Sequence, residues 1–117
     1  MDTSITVDKM MMYRSVVVNV LEEYHRLNLQ AESELESMLV CDDHSQNYLL
    51  ILAGWQGQKR IKQVQLHLRL RTNQVWIEED WTEDGIMGDL IRSGVDRESI
   101  VLGFLPPQVR KQAVDYI

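Results

Sequence analysis

The sequence predicts a small α+β domain in which an N-terminal helix packs on a four-stranded antiparallel meander sheet, followed by short C-terminal helices. Three observations support this fold class. Apolar residues recur at helical spacing before residue 28, strand-forming segments follow between residues 35 and 80, and short turn signals separate those segments. The chain has 117 residues, the length of one domain, so we predict a single domain over residues 1–117.

Composition excludes several classes of protein. Hydrophobic residues make up 44% and charged residues 26%, as in ordinary globular domains. Cys41 is the only cysteine, which excludes an intrachain disulfide and a cysteine-rich zinc site. Because the N-terminus also lacks the pattern of a secretory signal, the expected location is the cytoplasm. The net charge of −6 repels phosphate and disfavours nucleic-acid binding by the chain as a whole.

The first helix is predicted over about residues 8–27, with Asp8 as its N-cap. The β-branched run at residues 16–18 disfavours an isolated helix, so packing on a sheet must stabilise it. The apolar stripe that would face the sheet consists of Met10, Tyr13, Val17, Leu21 and Tyr24.

Four strands are predicted at residues 35–42, 47–55, 60–71 and 74–80, with turns at 56–57 and 72–73. The third strand alternates most clearly, so Val64, Leu66, Leu68 and Leu70 should share the core face. The 72–73 turn pairs Leu70 with Val75, Arg69 with Trp76 and His67 with Glu78.

The same counting across the 56–57 turn puts Leu49, Ile51 and Ala53 on the core face. It leaves Tyr48, Leu50 and Leu52 on the polar face of the third strand. Three large apolar side chains there require a cover, either a second helix or another chain. These three residues are therefore the candidate protein-binding site.

The sequence pattern typical of strands ends after residue 80. Residues 82–84, Thr-Glu-Asp, are predicted to cap a short helix that runs to Arg92, with Gly94 as its stop. Residues 100–104 form a short buried strand or an extended segment, which Pro106 and Pro107 end. Residues 108–117 form a final short helix or tail.

No catalytic, cofactor or metal site is predicted. The three histidines fall on a helix, a loop and a strand, without a metal-binding spacing. Five carboxylates within residues 78–84 could hold a hard cation, but they could also balance the basic third strand and cap a helix. We favour the structural interpretation.

The third strand is the candidate nucleic-acid surface. Its cations Arg60, Lys62, Arg69 and Arg71 could contact phosphates, and His67 and Trp76 could stack on bases. The alternative, which we favour, is a solvated sheet face paired with the acidic fourth strand.

Two strings in the C-terminal half carry a family resemblance. The sequence Asp-Trp-Thr-Glu-Asp-Gly-Ile at residues 80–86, followed by Val-Leu-Gly-Phe-Leu-Pro-Pro at 101–107, resembles the XisI family, the fdxN element excision controlling factors of cyanobacteria. The likeness extends from Lys9 to Arg110 and includes Tyr13-Arg14. The family-motif residues are Asp80, Thr82, Glu83, Gly85, Gly103, Pro106 and Pro107. Leu105 departs from the family, which often has a polar residue there, commonly histidine.

The resemblance implies a compact α+β domain without established catalytic residues. It also implies a role in DNA recombination during heterocyst differentiation, as an accessory to a site-specific recombinase beside a second small factor, XisH. The partners that the resemblance implies are therefore an XisH-like protein and a recombinase. The apolar row Tyr48, Leu50 and Leu52 adds a second copy of the chain as an expected partner. Direct contact with DNA through the basic third strand is the alternative.

Overall fold

The structure is a computed structural model that describes residues 3–110. Among these residues, no helix is long and apolar enough to cross a membrane. The elements in chain order are α1 (Thr3–Gln30), β1 (Leu35–Asp42), β2 (Asn47–Gln56), β3 (Lys59–Arg71), β4 (Gln74–Asp80), α2 (Met87–Arg92), a 3-10 turn (Arg97–Ser99) and β5 (Ile100–Leu102).

The sheet has the strand order β1-β2-β3-β4-β5. The first four strands form the predicted antiparallel meander, and the predicted strand or extended segment at 100–104 joins it as a fifth strand. This fifth strand runs parallel to β4. A parallel neighbour needs a crossover connection, which residues 81–99 supply by carrying α2 across one face of the sheet. The fold is thus the predicted α+β class with a mixed sheet.

Helix α1 packs on the sheet as its valine run requires. Tyr13, Val17 and Leu21 are fully buried against it. The helix begins at Thr3, so Asp8 lies inside it and the predicted N-cap is wrong. No glycine or proline precedes Asp8 or follows residue 27 until well beyond the helix, so nothing stops the helix at either predicted boundary.

Helix α2 lies beside α1 on the same face of the sheet. The hydroxyl of Tyr24 donates a 2.6 Å hydrogen bond to Asp89 Oδ2 and so joins the two helices. Burial, and secondarily the Asp89 carboxylate, raises the pKa of Tyr24 to about 12. The hydroxyl of Tyr13 donates to Ser99 Oγ at 3.1 Å, which fastens α1 to the turn before β5. The core therefore lies between the two helices and one face of the sheet.

Two β-bulges decide which side chains face that core. The β2–β3 turn is at Gly57-Gln58 (φ of Gly57 is 64°), one residue later than predicted. The β2–β3 pairing then shifts between Leu50 and Ile51, because β3 contains one extra residue, Gln65. A second shift, between His67 and Leu68, occurs in the β3–β4 pairing. A one-residue shift sends every later side chain to the opposite face.

Candidate functional site

The row predicted to bind a partner is part of the core. Tyr48 is 1% exposed and Leu50 is 0% exposed. They pair with Leu68 and Leu66, which are buried under α1. Leu52 is half-buried on the same face. The prediction that these three side chains lie on the polar face is wrong, because the bulge at Gln65 turns them inward. Their cover is α1 of the same chain.

The sheet face that points away from α1, here called the open face, carries a different apolar group. Alternation along β1, β2 and β3 places five half-exposed or exposed side chains at its centre. None of them belongs to the buried core cluster. Leu49 and Ile51 are among them, and Ala53, although only 5% exposed, lies on the same face by register. The predicted assignment of these three residues to the core face is therefore wrong. The five central residues are Met38, Val40, Leu49, Ile51 and Val64.

A groove of about 580 Å³ adjoins this apolar centre. Ala53 and Gly54 form its floor, and a side chain at Gly54 would bring a Cβ within 2.8 Å of the Glu34 carbonyl oxygen. The Arg60 guanidinium stacks 5.5 Å from the ring centroid of Trp55, which is 54% exposed. One wall of the groove is acidic (Glu34, Glu36) and the opposite wall is basic (Arg60, Lys62).

The four predicted basic residues share the open face. Strict alternation along β3 would separate Arg60 and Lys62, at even positions, from Arg69 and Arg71, at odd positions. The bulge at Gln65 removes that separation. The structure thus places the four cations of the candidate nucleic-acid surface along one face.

The ring of Trp76 is in cation–π contact with three arginines. The Arg71 guanidinium lies 4.5 Å from its ring centroid, that of Arg110 5.1 Å and that of Arg69 5.6 Å. The predicted Arg69–Trp76 pair is confirmed by the register. Sequence reasoning missed Arg110, because only the turn after β5 brings it back to the sheet. There its Nε donates to the carbonyl oxygen of Leu105 at 2.8 Å.

Beside Trp76, the charges on the open face are partly neutralised. Arg69 Nη2 lies 2.9 Å from Glu78 Oε1 and forms an ion pair with it, without a hydrogen bond to that oxygen. His67 is opposite Glu79, so the predicted His67–Glu78 pair is wrong, because the second bulge inserts Glu78. Burial lowers the pKa of His67; the charges of Glu78 and Glu79 oppose this and Arg69 adds to it. His67 is therefore neutral near pH 7, and its Nε2 lies 2.8 Å from Asn47 Oδ1.

Asp80 organises the first family-motif string. Its Oδ1 accepts hydrogen bonds from the backbone N–H and the hydroxyl of Thr82, at 3.0 and 2.6 Å. Its Oδ2 accepts from the backbone N–H of Ile86 at 2.6 Å. Gly85 has a φ of 80°, which glycine adopts without strain. The predicted cap at residues 82–84 is wrong, because Asp80 closes the turn and α2 begins only at Met87.

Gly103 has a structural role in the second family-motif string, residues 101–107. Its N–H donates to the carbonyl oxygen of Ile77 at 2.8 Å, and an added Cβ would lie 3.0 Å from Glu78 Oε2. Leu105 packs against the core. Pro106 and Pro107 are exposed, and a helical turn begins there. The rest of the predicted final helix lies outside the described residues.

The carboxylates of residues 78–84 do not converge. Glu78 pairs with Arg69, Glu79 accepts from Trp81 Nε1 at 2.9 Å, and Asp80 closes its turn. Within residues 3–110, no group of three potential metal ligands is close enough to hold an ion. The geometry therefore gives Glu78, Glu79 and Asp80 structural partners.

Comparison with known proteins decides the family. A family model described as "XisI protein" matches residues 7–116. The chain belongs to the XisI family. The predicted membership of this family is therefore confirmed. The two strings on which the prediction rested form the Asp80 turn and the turn after β5.

Two solved structures from Anabaena variabilis ATCC 29413 share the XisI fold. One is the fdxN element excision controlling factor XisI, with 29% identity over 87% of this chain and 98% of that one, and a TM-score of 0.77. The other is an XisI-like protein, with 27% identity over 88% of this chain and 94% of that one, and a TM-score of 0.82. No protein of curated function matches the chain.

Proposed function

We propose that this protein is an accessory factor that controls excision of a chromosomal DNA element by a site-specific recombinase, and that it acts by binding protein rather than by catalysis. One observation carries the proposal. The chain is 29% identical to an fdxN element excision controlling factor over nearly all of that protein's length. The proposed partners are an XisH-like protein and the recombinase.

The open face supports a binding role. Five apolar side chains lie at its centre without a covering helix in residues 3–110. Charged and aromatic side chains surround them, including Trp55, which is among the most exposed large hydrophobic side chains of the described chain. An apolar centre with a polar rim is the usual anatomy of a protein interface. The open face therefore replaces Tyr48, Leu50 and Leu52 as the candidate binding surface.

Co-expression with an XisH-like protein tests the proposal. The wild-type chain is expected to co-purify with it, and Ile51→Arg should abolish the complex by placing a charge in the apolar centre. Met11→Arg is the matched control, since Met11 is 63% exposed on α1, on the other side of the sheet. In cells, deleting the gene should change the frequency of excision, measured by amplification across the junction. Unchanged excision together with no complex would refute the role.

A second candidate function is direct contact with DNA. The observation that favours it is that Arg60, Lys62 and Arg71 share the open face with Trp55 and Trp76. Within the described chain these three cations have no ion pair with a carboxylate. In a gel-retardation assay, the protein should then shift labelled DNA at low salt, and the shift should weaken steeply as the salt concentration rises. Arg71→Glu should weaken the shift at low salt. No shift at low salt would exclude this candidate.

A further inference from the structure

The charges on the open face are arranged asymmetrically about its central strand. The register aligns Glu36 of β1, Ala53 of β2 and Lys62 of β3 in one row across the sheet. The next rows contain Met38, Ile51 and Val64, then Val40, Leu49 and His67. Acid therefore lies on the β1 side, base on the β3 side, and apolar side chains fill the centre.

These charges have no partners within the described chain. Glu36 and Lys62 are both exposed, and no ion pair involves either of them in residues 3–110. They lie two strands apart, about 10 Å at the usual strand spacing, which is too far for direct contact. Within residues 3–110, the guanidinium of Arg60 contacts the Trp55 ring and, at 3.5 Å, the carbonyl oxygen of Gly54, and it has no ion pair with a carboxylate.

A two-fold axis parallel to β2 makes this face complementary to itself. Rotation about such an axis places β1 of one copy over β3 of the other while preserving each row. Glu36 then meets Lys62 of the second copy, and Glu34 meets Arg60, each twice because the contact is symmetric. The apolar rows meet one another. Two sheets packed face to face about 10 Å apart have this arrangement.

We propose that the open face binds a second copy of this chain, forming a face-to-face dimer held by the apolar centre and by reciprocal Glu36–Lys62 and Glu34–Arg60 pairs. This dimer is separate from the proposed role in excision, and a second copy on the open face would compete there with an XisH-like partner. The contact covers mainly three strands, so the buried area lies near the small end of specific interfaces, which implies a concentration-dependent dimer.

Sedimentation equilibrium of the purified chain, over a range reaching high micromolar concentrations, tests the proposal. The wild type should dimerise. Glu36→Lys and Lys62→Glu should each weaken the dimer about tenfold, because each replaces two attractions by two repulsions. The double variant E36K/K62E restores both pairs with opposite sign and should recover wild-type affinity. Recovery also shows that neither substitution acts by unfolding the chain.

Matched controls change the same charges on the other side of the molecule. Glu22→Lys on α1 and Lys59→Glu at the β2–β3 turn are both exposed and should leave the dimer unchanged. A strict monomer overturns the proposal, as does a double variant no better than the single ones. A dimer unaffected by either reversal also overturns the proposal and would place the contact elsewhere, such as at the outer edge of β1. A monomer that instead binds single-stranded DNA through Lys62 would assign the face to nucleic acid.

Because the experiment uses the chain alone, it can fail while the role in excision stands. Conversely, a dimer can form in a protein that has no effect on excision.

Discussion

Replacing Asp80 by alanine is expected to destabilise the fold by about 3 kcal/mol, since it removes one carboxylate that closes the turn before α2. Three donors lose their acceptor: the N–H and hydroxyl of Thr82 and the N–H of Ile86. The side chain of Ile86 is 0% exposed, so its N–H is poorly placed to find water. The half-buried Thr82 groups are more easily hydrated.

The magnitude follows from those three bonds. An unsatisfied buried donor costs about 1–3 kcal/mol, so the Ile86 N–H contributes about 2 kcal/mol and the Thr82 groups together about 1 kcal/mol. For a domain of this size, 3 kcal/mol corresponds to a decrease of about 12 °C in Tm. Asp80→Asn keeps one oxygen but directs an NH₂ group at one of the donors, so we expect an intermediate loss of about 2 kcal/mol.

Urea unfolding, followed by circular dichroism and tryptophan fluorescence, measures these differences at an unchanged m-value. Glu83→Ala is the matched control: Glu83 is an exposed family-motif carboxylate three residues away, and its loss should cost less than about 0.5 kcal/mol. If Asp80→Ala were as stable as the wild type, or Glu83→Ala as unstable as Asp80→Ala, the structural role of Asp80 would be refuted.

Three further results are expected. Leu50→Ala should lower the free energy of unfolding in urea by about 3 kcal/mol and Leu49→Ala by less than about 1 kcal/mol, because only Leu50 faces the core. Equal losses would contradict the face assignment that follows from the bulge at Gln65. Burial lowers the pKa of His67 below its usual 6.5. The unfolded chain then binds more protons below pH 6.5, so stability falls as pH drops through that value, and His67→Gln should flatten this slope in thermal melts. Gly85→Ala should lower stability by about 1 kcal/mol because φ is 80°, whereas Gly88→Ala inside α2 should not; both are read from Tm.

Local patterns predicted most of the elements. The boundaries of β1 and β4 agree with the predicted residues, and the β3–β4 turn has the predicted pairs Leu70–Val75 and Arg69–Trp76. These features depend on alternation and turn chemistry over a few residues, which a sequence displays directly. The helix-on-sheet arrangement followed from one valine run that an isolated helix would not favour.

The faces of the central hairpin could not be predicted in this way. Val64, Leu66, Leu68 and Leu70 alternate without interruption, yet Val64 lies on the open face and the other three lie in the core. Gln65, the extra residue of the bulge, is neither a glycine nor part of any turn signal. Its side chain accepts a hydrogen bond from Asn28 of α1 at 2.8 Å, a contact that only the packed helix provides.

The sequence by itself therefore determined the fold class, the family and the residues that carry charge on the third strand. Tertiary structure alone decided that Tyr48 and Leu50 are core, that Arg60 and Arg71 share a face, and that Arg110 reaches Trp76. The physical reason is that successive side chains of a strand point to alternate faces of the sheet. Periodicity fixes which neighbours share a face over a few residues, but one inserted residue reverses the assignment, and long-range packing selects where that insertion falls.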